Sequence, residues 1–217
     1  MKDQSIKNIY YSTLAKISIF SLYYMRIFRS KSNRDRFINL GCGDKTIPGM
    51  LNIDGNIFRF PNIWLDVTLG LPFKSNSIKG IYTSHLVEHL RFKKLRRVLS
   101  ECNRVLVPSG AVRIVVPSLE YAIRCYIEGA VGKLTEWPEK FNSIGGRFNN
   151  FLLCANQHFV IFDFSLLEEL LNEAGFRNVI RVDPFESSYF CKNFLLFEKS
   201  PDQTESSLYI EAYKPLT

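Results

Sequence analysis

Short apolar runs of strand type alternate along the chain with stretches of helical period, and this alternation restricts the possible folds more than any other feature. Phe37 to Leu40, Leu51 to Asp54, Ile63 to Asp66, Gly80 to Ser84 and Val112 to Val116 read as five short strands, the last stopped by Pro117. Between the fourth and fifth, Phe92, Leu95, Val98, Leu99, Cys102, Val105 and Leu106 recur at helical spacing, with Lys93, Lys94, Arg96, Arg97 and Glu101 on the opposite side. Strands that are nearly continuous in apolar residues, separated by amphipathic helices, call for a mostly parallel sheet covered on both faces. The four basic residues of the helix read as a solvated face. With 46% hydrophobic and 23% charged residues among 217, the chain can bury a core, and its length suits one domain.

The second half changes character. Ser165-Leu166-Leu167-Glu168 has the form of a capping box and predicts a helix starting there and ending at Gly175. Asn178 to Val182, Phe194 to Phe197 and Leu208 to Ala212 read as further strands, with a turn over Ser200 to Thr204, so the C-terminal end of the sheet is expected to be antiparallel. Between Pro117 and Ser165 lies a long segment of mixed signals, including Trp137-Pro138, Gly145-Gly146 and several aromatic and amide residues. A structureless loop of that length is uncommon in a compact domain unless it makes a lid or binding wall, so residues 118–164 are expected to form an insertion.

Charge is distributed unevenly. The formal net charge is +7, yet residues 1–36 hold eight basic residues (Lys2, Lys7, Lys16, Arg26, Arg29, Lys31, Arg34, Arg36) against Asp3 and Asp35, which leaves the rest near +1. A near-neutral body lacks the broad basic surface a large nucleic-acid substrate requires, so no nucleic acid is expected as partner. In the arm, Ile6, Tyr10, Leu14, Ile17, Phe20, Tyr24 and Ile27 fall on one side of a helix, predicting a basic amphipathic helix over residues 1–35 ahead of a domain over 36–217. Its longest uncharged stretch, Ile17 to Met25, is about half of the roughly 18–20 residues a spanning helix needs, and no signal-peptide cleavage pattern follows it. Two readings remain open: the helix packs on the domain or a partner, or residues 1–30 lie on an anionic membrane surface. Five scattered cysteines without a C-x-x-C pair form neither a disulfide framework nor a zinc ribbon. They favour a cytoplasmic setting, with the inner face of a membrane as its peripheral variant.

Chemistry concentrates at the strand ends. Gly41-Cys42-Gly43 closes the first strand and lets the backbone approach a ligand; Asp54, 13 residues after the first glycine, ends the second strand; Asp66, 25 after it, follows the third. An acid at the end of the second strand can accept both ribose hydroxyls, and one after the third can accept an adenine amino group. Together they outline a nucleoside slot across the C-terminal edge of a parallel sheet. The fingerprint of a nicotinamide-binding domain is missing, since Thr46 stands where its third glycine belongs.

In this series, and in Leu71-Pro72-Phe73, the run from Ser84 to Leu90, and the run from Glu101 to Gly110, the chain resembles a class I S-adenosylmethionine-dependent methyltransferase of the type 11 methyltransferase-domain group. The resemblance covers residues 36–118 well and 158–183 more loosely. It implies a Rossmann-like α/β fold with a mostly parallel sheet of about seven strands, helices on both faces and an antiparallel C-terminal end. It also implies S-adenosyl-L-methionine as cofactor, with Gly41, Cys42 and Gly43 at its methionine end, Asp54 at the ribose, Asp66 near the adenine, Ser84 among the cofactor-binding residues and His85 at the reactive end. Departures are visible: Asn39 stands where the family has an acid two residues before the first glycine, Lys45 replaces a third glycine, and Ser109 stands where glycine is common. Only ten residues separate Gly43 from Asp54, so the usual crossover helix must be very short or replaced by the loop from Asp44 to Met50 with its turn at Pro48-Gly49.

The expected reaction moves a methyl group to an oxygen or nitrogen of a small-molecule or glycan-type acceptor. The chain has three histidines, and His85, His89 and His158 are the candidates for catalytic groups. Each also has a bland reading, as a packed, hydrogen-bonded or surface residue, and Glu88 as the partner of a nearby base. His85 and His89 are four apart, but no further Cys or acidic cluster at ligand spacing accompanies them, so no metal is expected. Trp137, Phe141, Phe148 and Phe151 form either an apolar acceptor wall or the insertion's own small core. The rival functions are a nucleoside-binding module without chemistry and a membrane-peripheral scaffold led by residues 1–30.

Overall fold

The computed structural model describes residues 36–198 and 204–216; the basic arm and most of the turn over Ser200 to Thr204 lie outside them. Seven strands form one sheet: β1 (Phe37–Leu40), β2 (Leu51–Asp54), β3 (Ile63–Trp64), β4 (Ile78–Ser84), β5 (Leu106–Pro117), β6 (Arg177–Arg181) and β7 (Ser207–Tyr213). Their spatial order is β3-β2-β1-β4-β5-β7-β6. The first five are mutually parallel, and β7 runs antiparallel to both β5 and β6. This is the α/β architecture that the alternation predicts, Rossmann-like and with an antiparallel C-terminal end.

Period-2 alternation decides what each face buries. Ile38, Leu40, Ile53, Ile81, Val112, Ile114, Val116, Leu208 and Ile210 point to one side. There they pack with Leu95, Val98, Leu99 and Cys102 of α1 (Phe92–Val105) and with Leu167, Leu170 and Leu171 of α4 (Phe164–Glu173). The intervening residues Phe37, Tyr82, Ala111, Val115 and Tyr209 face a second cluster. Ile47 and Met50 of the loop after β1, with Phe190, Phe194 and Leu195, cover that side.

The connection from β1 to β2 contains no helix. A buried amide network takes its place. Asn39 Nδ2 donates to Asn52 Oδ1 (3.0 Å) and to the Lys45 carbonyl (2.9 Å), while the Ile47 N–H donates to Asn52 Oδ1 (2.8 Å). The Asn52 amide donates in turn to the Ile47 and Met50 carbonyls, both 3.2 Å away. A loop this short would otherwise bury unpaired backbone groups, and the two asparagines satisfy them. The Leu71-Pro72-Phe73 turn is held from α1. Glu101 Oε2 accepts from the Leu71 N–H (2.9 Å), and Arg104 donates to the Leu71 and Phe73 carbonyls.

Four expectations need correction. Asp163, not Ser165, caps α4: its Oδ1 accepts from the Leu166 N–H at 2.9 Å, and the Ser165 hydroxyl donates to its Oδ2. Residues 194–197 are helical rather than a strand, with α5 spanning Lys192–Leu195 and a 3-10 turn Leu196–Glu198 after it. A four-residue apolar run is compatible with either conformation, and the free edge of β5 is already occupied by β7. The third strand stops at Trp64, and Asp66 caps a 3-10 turn over Val67–Leu69. The fifth strand starts six residues before the expected Val112.

Residues 118–164 are not structureless. They hold α2 (Leu119–Ile127) and α3 (Ile144–Leu153), which bury Tyr121, Ala122, Cys125, Leu134 and Phe151 between them as a third small core. The excursion closes on itself at its base, where Ser118 bridges Phe162 and the Leu119 N–H donates to the Phe162 carbonyl at 2.9 Å.

Candidate active site

The glycine turn sits at the C-terminal tip of β1. Gly41 has φ +70°, and a Cβ there would lie 2.9 Å from the side chain of Leu86, so both its backbone and its surroundings require glycine. Gly43, at φ +49°, faces open space. Asp54 holds this turn in place: Oδ2 accepts from the Gly43 N–H at 2.8 Å and Oδ1 from the Asn56 N–H at 2.7 Å. Asp66 Oδ1 accepts from the Thr68 N–H at 2.9 Å. The backbone ties these two strand tips together, since the Leu65 N–H donates to the Asp54 carbonyl at 2.9 Å.

Beside the turn lies a cavity of about 260 Å3 lined by Asn39, Gly41, Cys42, Gly43, Ser84 and His85, with Tyr82, Ile47 and Phe197 completing its apolar wall. Five of the seven expected cofactor positions therefore share one wall. Asp54 and Asp66 are not in that lining; Asp54 is tied to it through Gly43. Burial, reinforced by Asp54, pushes the Cys42 thiol up to about 11, which leaves it protonated and unreactive at neutral pH. Among the described residues all five cysteines are free thiols, and four of them are buried.

A larger cavity of about 730 Å3 opens on the insertion side. Its wall includes His85, His158, Cys154, Tyr121, Arg147 and Trp137. The α2–α3 unit supplies much of this wall, and α3 holds the segment between the two helices in place. Arg147 donates to the Leu134 carbonyl (3.0 Å) and to Glu136 (2.6 Å), and Asn150 to the Trp137 carbonyl (2.9 Å). Phe151 serves both the wall and the small core, Phe148 packs against that core, and Trp137 is 66% exposed.

All three histidines converge on Glu88. His85 follows β4 in a left-handed backbone conformation (φ +51°), rare outside glycine and asparagine. Its Nδ1 lies 3.2 Å from Glu88 Oε1, and its Nε2 lies 3.4 Å from the Ser207 hydroxyl. The rings of His89 and His158 meet edge to face with centroids 5.0 Å apart. Burial pushes the Glu88 carboxyl up, but the imidazoles of His85 and His89 outweigh it and hold the group below the usual carboxylate range. The His158 imidazole is held below its ordinary value mainly by burial, against the pull of Glu88.

Sequence reasoning missed Tyr82, Ile47 and Phe197. Phe197 carried an apolar signal that fitted a strand equally well, while Tyr82 inside the fourth strand and Ile47 inside the loop from Asp44 to Met50 carried no signal of their own.

A family model described as a methyltransferase domain matches residues 56–114, about a quarter of the chain, from the β2–β3 connection to β5. No curated protein sequence gives a significant match. Among solved structures the chain is similar to a SAM-dependent methyltransferase from Archaeoglobus fulgidus. That likeness has 15% identity, covers 91% of this chain and 94% of that one, and has a TM-score of 0.51. A SAM-dependent methyltransferase from Thermotoga maritima gives 14% identity, 99% and 96% coverage and a TM-score of 0.52. A chain from the complex of the Haloferax volcanii Trm112 methyltransferase activator with a methyltransferase gives 12%, 94% and 93% coverage, and 0.52. At these identities the likeness is one of fold. The strand order and these neighbours give the chain a methyltransferase-like α/β fold, and the family match over residues 56–114 is to a methyltransferase domain.

Proposed function

We propose that the chain moves the methyl group to an oxygen or nitrogen of a small-molecule or glycan-type acceptor held in the 730 Å3 cavity, with His85 at the threshold between acceptor and cofactor. One observation carries this reading: His85 lines both the cavity beside the glycine turn and the larger cavity walled by the insertion. The cofactor supplies an electrophilic methyl carbon on a sulfonium. The chain's own contribution is alignment and proton handling. Gly41, Cys42, Gly43 and Ser84 would seat the methionine end; Asp54 and Asp66 keep free carboxylate lone pairs for the ribose and the adenine. Glu88 beside Nδ1 favours a proton on that nitrogen, which leaves Nε2 of His85 to accept one from the acceptor. The α2–α3 unit would exclude water from the acceptor.

Calorimetric titration with S-adenosylmethionine and S-adenosylhomocysteine is expected to show binding of both. Asp54→Ala should weaken both by about 10-fold or more, the worth of a charged hydrogen bond. With a labelled methyl group and a panel of hydroxylated and amino acceptors, His85→Ala should lower turnover by about 100-fold while cofactor affinity stays within about threefold. Absence of heat from either nucleoside, or full turnover in His85→Ala, would remove this assignment. Among the described residues no helix is long and apolar enough to cross a membrane. Liposome flotation with and without residues 1–30 asks whether the basic arm carries the domain to a lipid-borne acceptor.

A further inference from the structure

Glu88 is 1% exposed, and neither of its carboxylate oxygens has a hydrogen-bond partner; the nearby His85 Nδ1 lies within ion-pair distance but outside hydrogen-bond geometry. The imidazoles of His85 and His89 offset its burial electrostatically, and a bound cation would add the direct partner that its oxygens lack. Two imidazoles beside it are prepared in a specific way. His89 Nδ1 lies 3.0 Å from the Gln157 carbonyl, and His158 Nδ1 lies 2.9 Å from the Leu152 carbonyl. A carbonyl oxygen only accepts, so each Nδ1 carries a proton and each neutral ring keeps its lone pair on Nε2. Carbonyl-anchored imidazoles of this kind are how proteins orient histidine toward a metal.

The fold, rather than any local motif, assembles the group. A potential ligand atom from each of Glu88, His89 and His158 lies within 4.8 Å of the others. Backbone bonds fix the two segments together, since the Phe159 and Val160 N–H groups both donate to the Glu88 carbonyl, at 2.8 and 3.3 Å. Local spacing points to no metal because His158 is remote in sequence; in the structure it completes the set. His158 also lines the large cavity, so one side of the group faces the space assigned to the acceptor.

We propose that Glu88, His89 and His158 bind a divalent first-row transition-metal ion of the Zn2+ type, with a coordination position open toward the large cavity. Two imidazoles and one carboxylate suit such an ion better than Mg2+, which prefers all-oxygen surroundings. Ligands about 2.0–2.2 Å from Zn2+ stand roughly 3.4 Å apart in a tetrahedron, so the group would close by roughly an ångström on binding. Three protein ligands leave a position for water or for an acceptor oxygen.

The test needs neither cofactor nor acceptor, so its failure is distinct from failure of the methyl-transfer reading. Tag-free full-length protein, stripped by chelator, is titrated with Zn2+ by calorimetry and with Co2+ by visible absorption, with Mg2+ as control. The expected result is one Zn2+ per chain, Co2+ ligand-field bands without a thiolate charge-transfer band, and no Mg2+ uptake. His158→Gln and Glu88→Gln should each lower Zn2+ affinity by more than about 100-fold, because even outer partners of such ligands are worth about 10- to 100-fold. Cys191→Ser, at the exposed cysteine, should leave it unchanged. If Glu88→Gln does not fold, His158→Gln with a wild-type melting curve decides. No Zn2+ uptake, undiminished uptake in His158→Gln, or a thiolate band would overturn the site.

Discussion

Ser109 adopts a left-handed backbone (φ +61°) while its N–H donates to the Lys214 carbonyl at 3.0 Å. Its departure from glycine is legible in the sequence; the cost of that departure follows from φ. A side chain in this conformation costs about 1–2 kcal/mol, and glycine's greater freedom when unfolded returns part of it. Ser109→Gly is therefore expected to stabilise the domain by up to about 1 kcal/mol, read as a higher midpoint in denaturant. Gly41 shows the opposite case, where φ and the Leu86 side chain leave no room for a Cβ. Asn39 is visible in the sequence as a substitution for an acid. Its role, tying the loop at Lys45 to Asn52, depends on a partner strand that no window around residue 39 contains.

Elements were legible where a single period runs unbroken. The observed bounds of β1, β2 and α1 agree closely with the sequence expectation, because the two strands are short buried runs closed by turn residues and α1 carries one unbroken apolar stripe. Residues 194–197 misled because four apolar residues define no period, and the insertion hid its two helices behind mixed signals. The stability of that insertion hinges on Arg147, which α3 projects under the segment from Leu134 to Phe141 to bond carbonyls at both ends. Arg147→Ala should cost about 1–3 kcal/mol locally by leaving these carbonyls unpaired. Hydrogen exchange should rise at residues 134–141 while the β-sheet amides keep their protection. Uniform loss across the sheet would show that the insertion is not a separate cooperative unit.

Across the whole molecule, Arg113 joins parts that the chain order keeps apart. It lies in the middle of β5, fully buried, and donates to Glu198 (2.6 and 2.9 Å), to Glu211 of β7 (2.8 Å) and to the Asp183 and Glu186 carbonyls. All of its donors are used, and the segment that brings Phe197 to the smaller cavity is fastened by them. Arg113→Met should destabilise the fold by about 3–5 kcal/mol, since two buried carboxylates lose their counter-charge. Adding Glu198→Gln and Glu211→Gln should recover part of the loss. A triple variant less stable than Arg113→Met would contradict that account. In the sequence Arg113 is one charge inside an apolar run, with no sign of its partners.

By itself the sequence determined the layered α/β class, the order of most elements, the glycine turn and the acids that follow it. Each of these is written in backbone preference and burial period over a few consecutive residues. Only the tertiary structure decided which groups meet: three histidines about one buried glutamate, an arginine between two glutamates, and a shared wall between two cavities. The arginine's two carboxylate partners lie 85 and 98 positions from it in the chain. Strand order and loop path set such distances, and local periodicity carries no information about either.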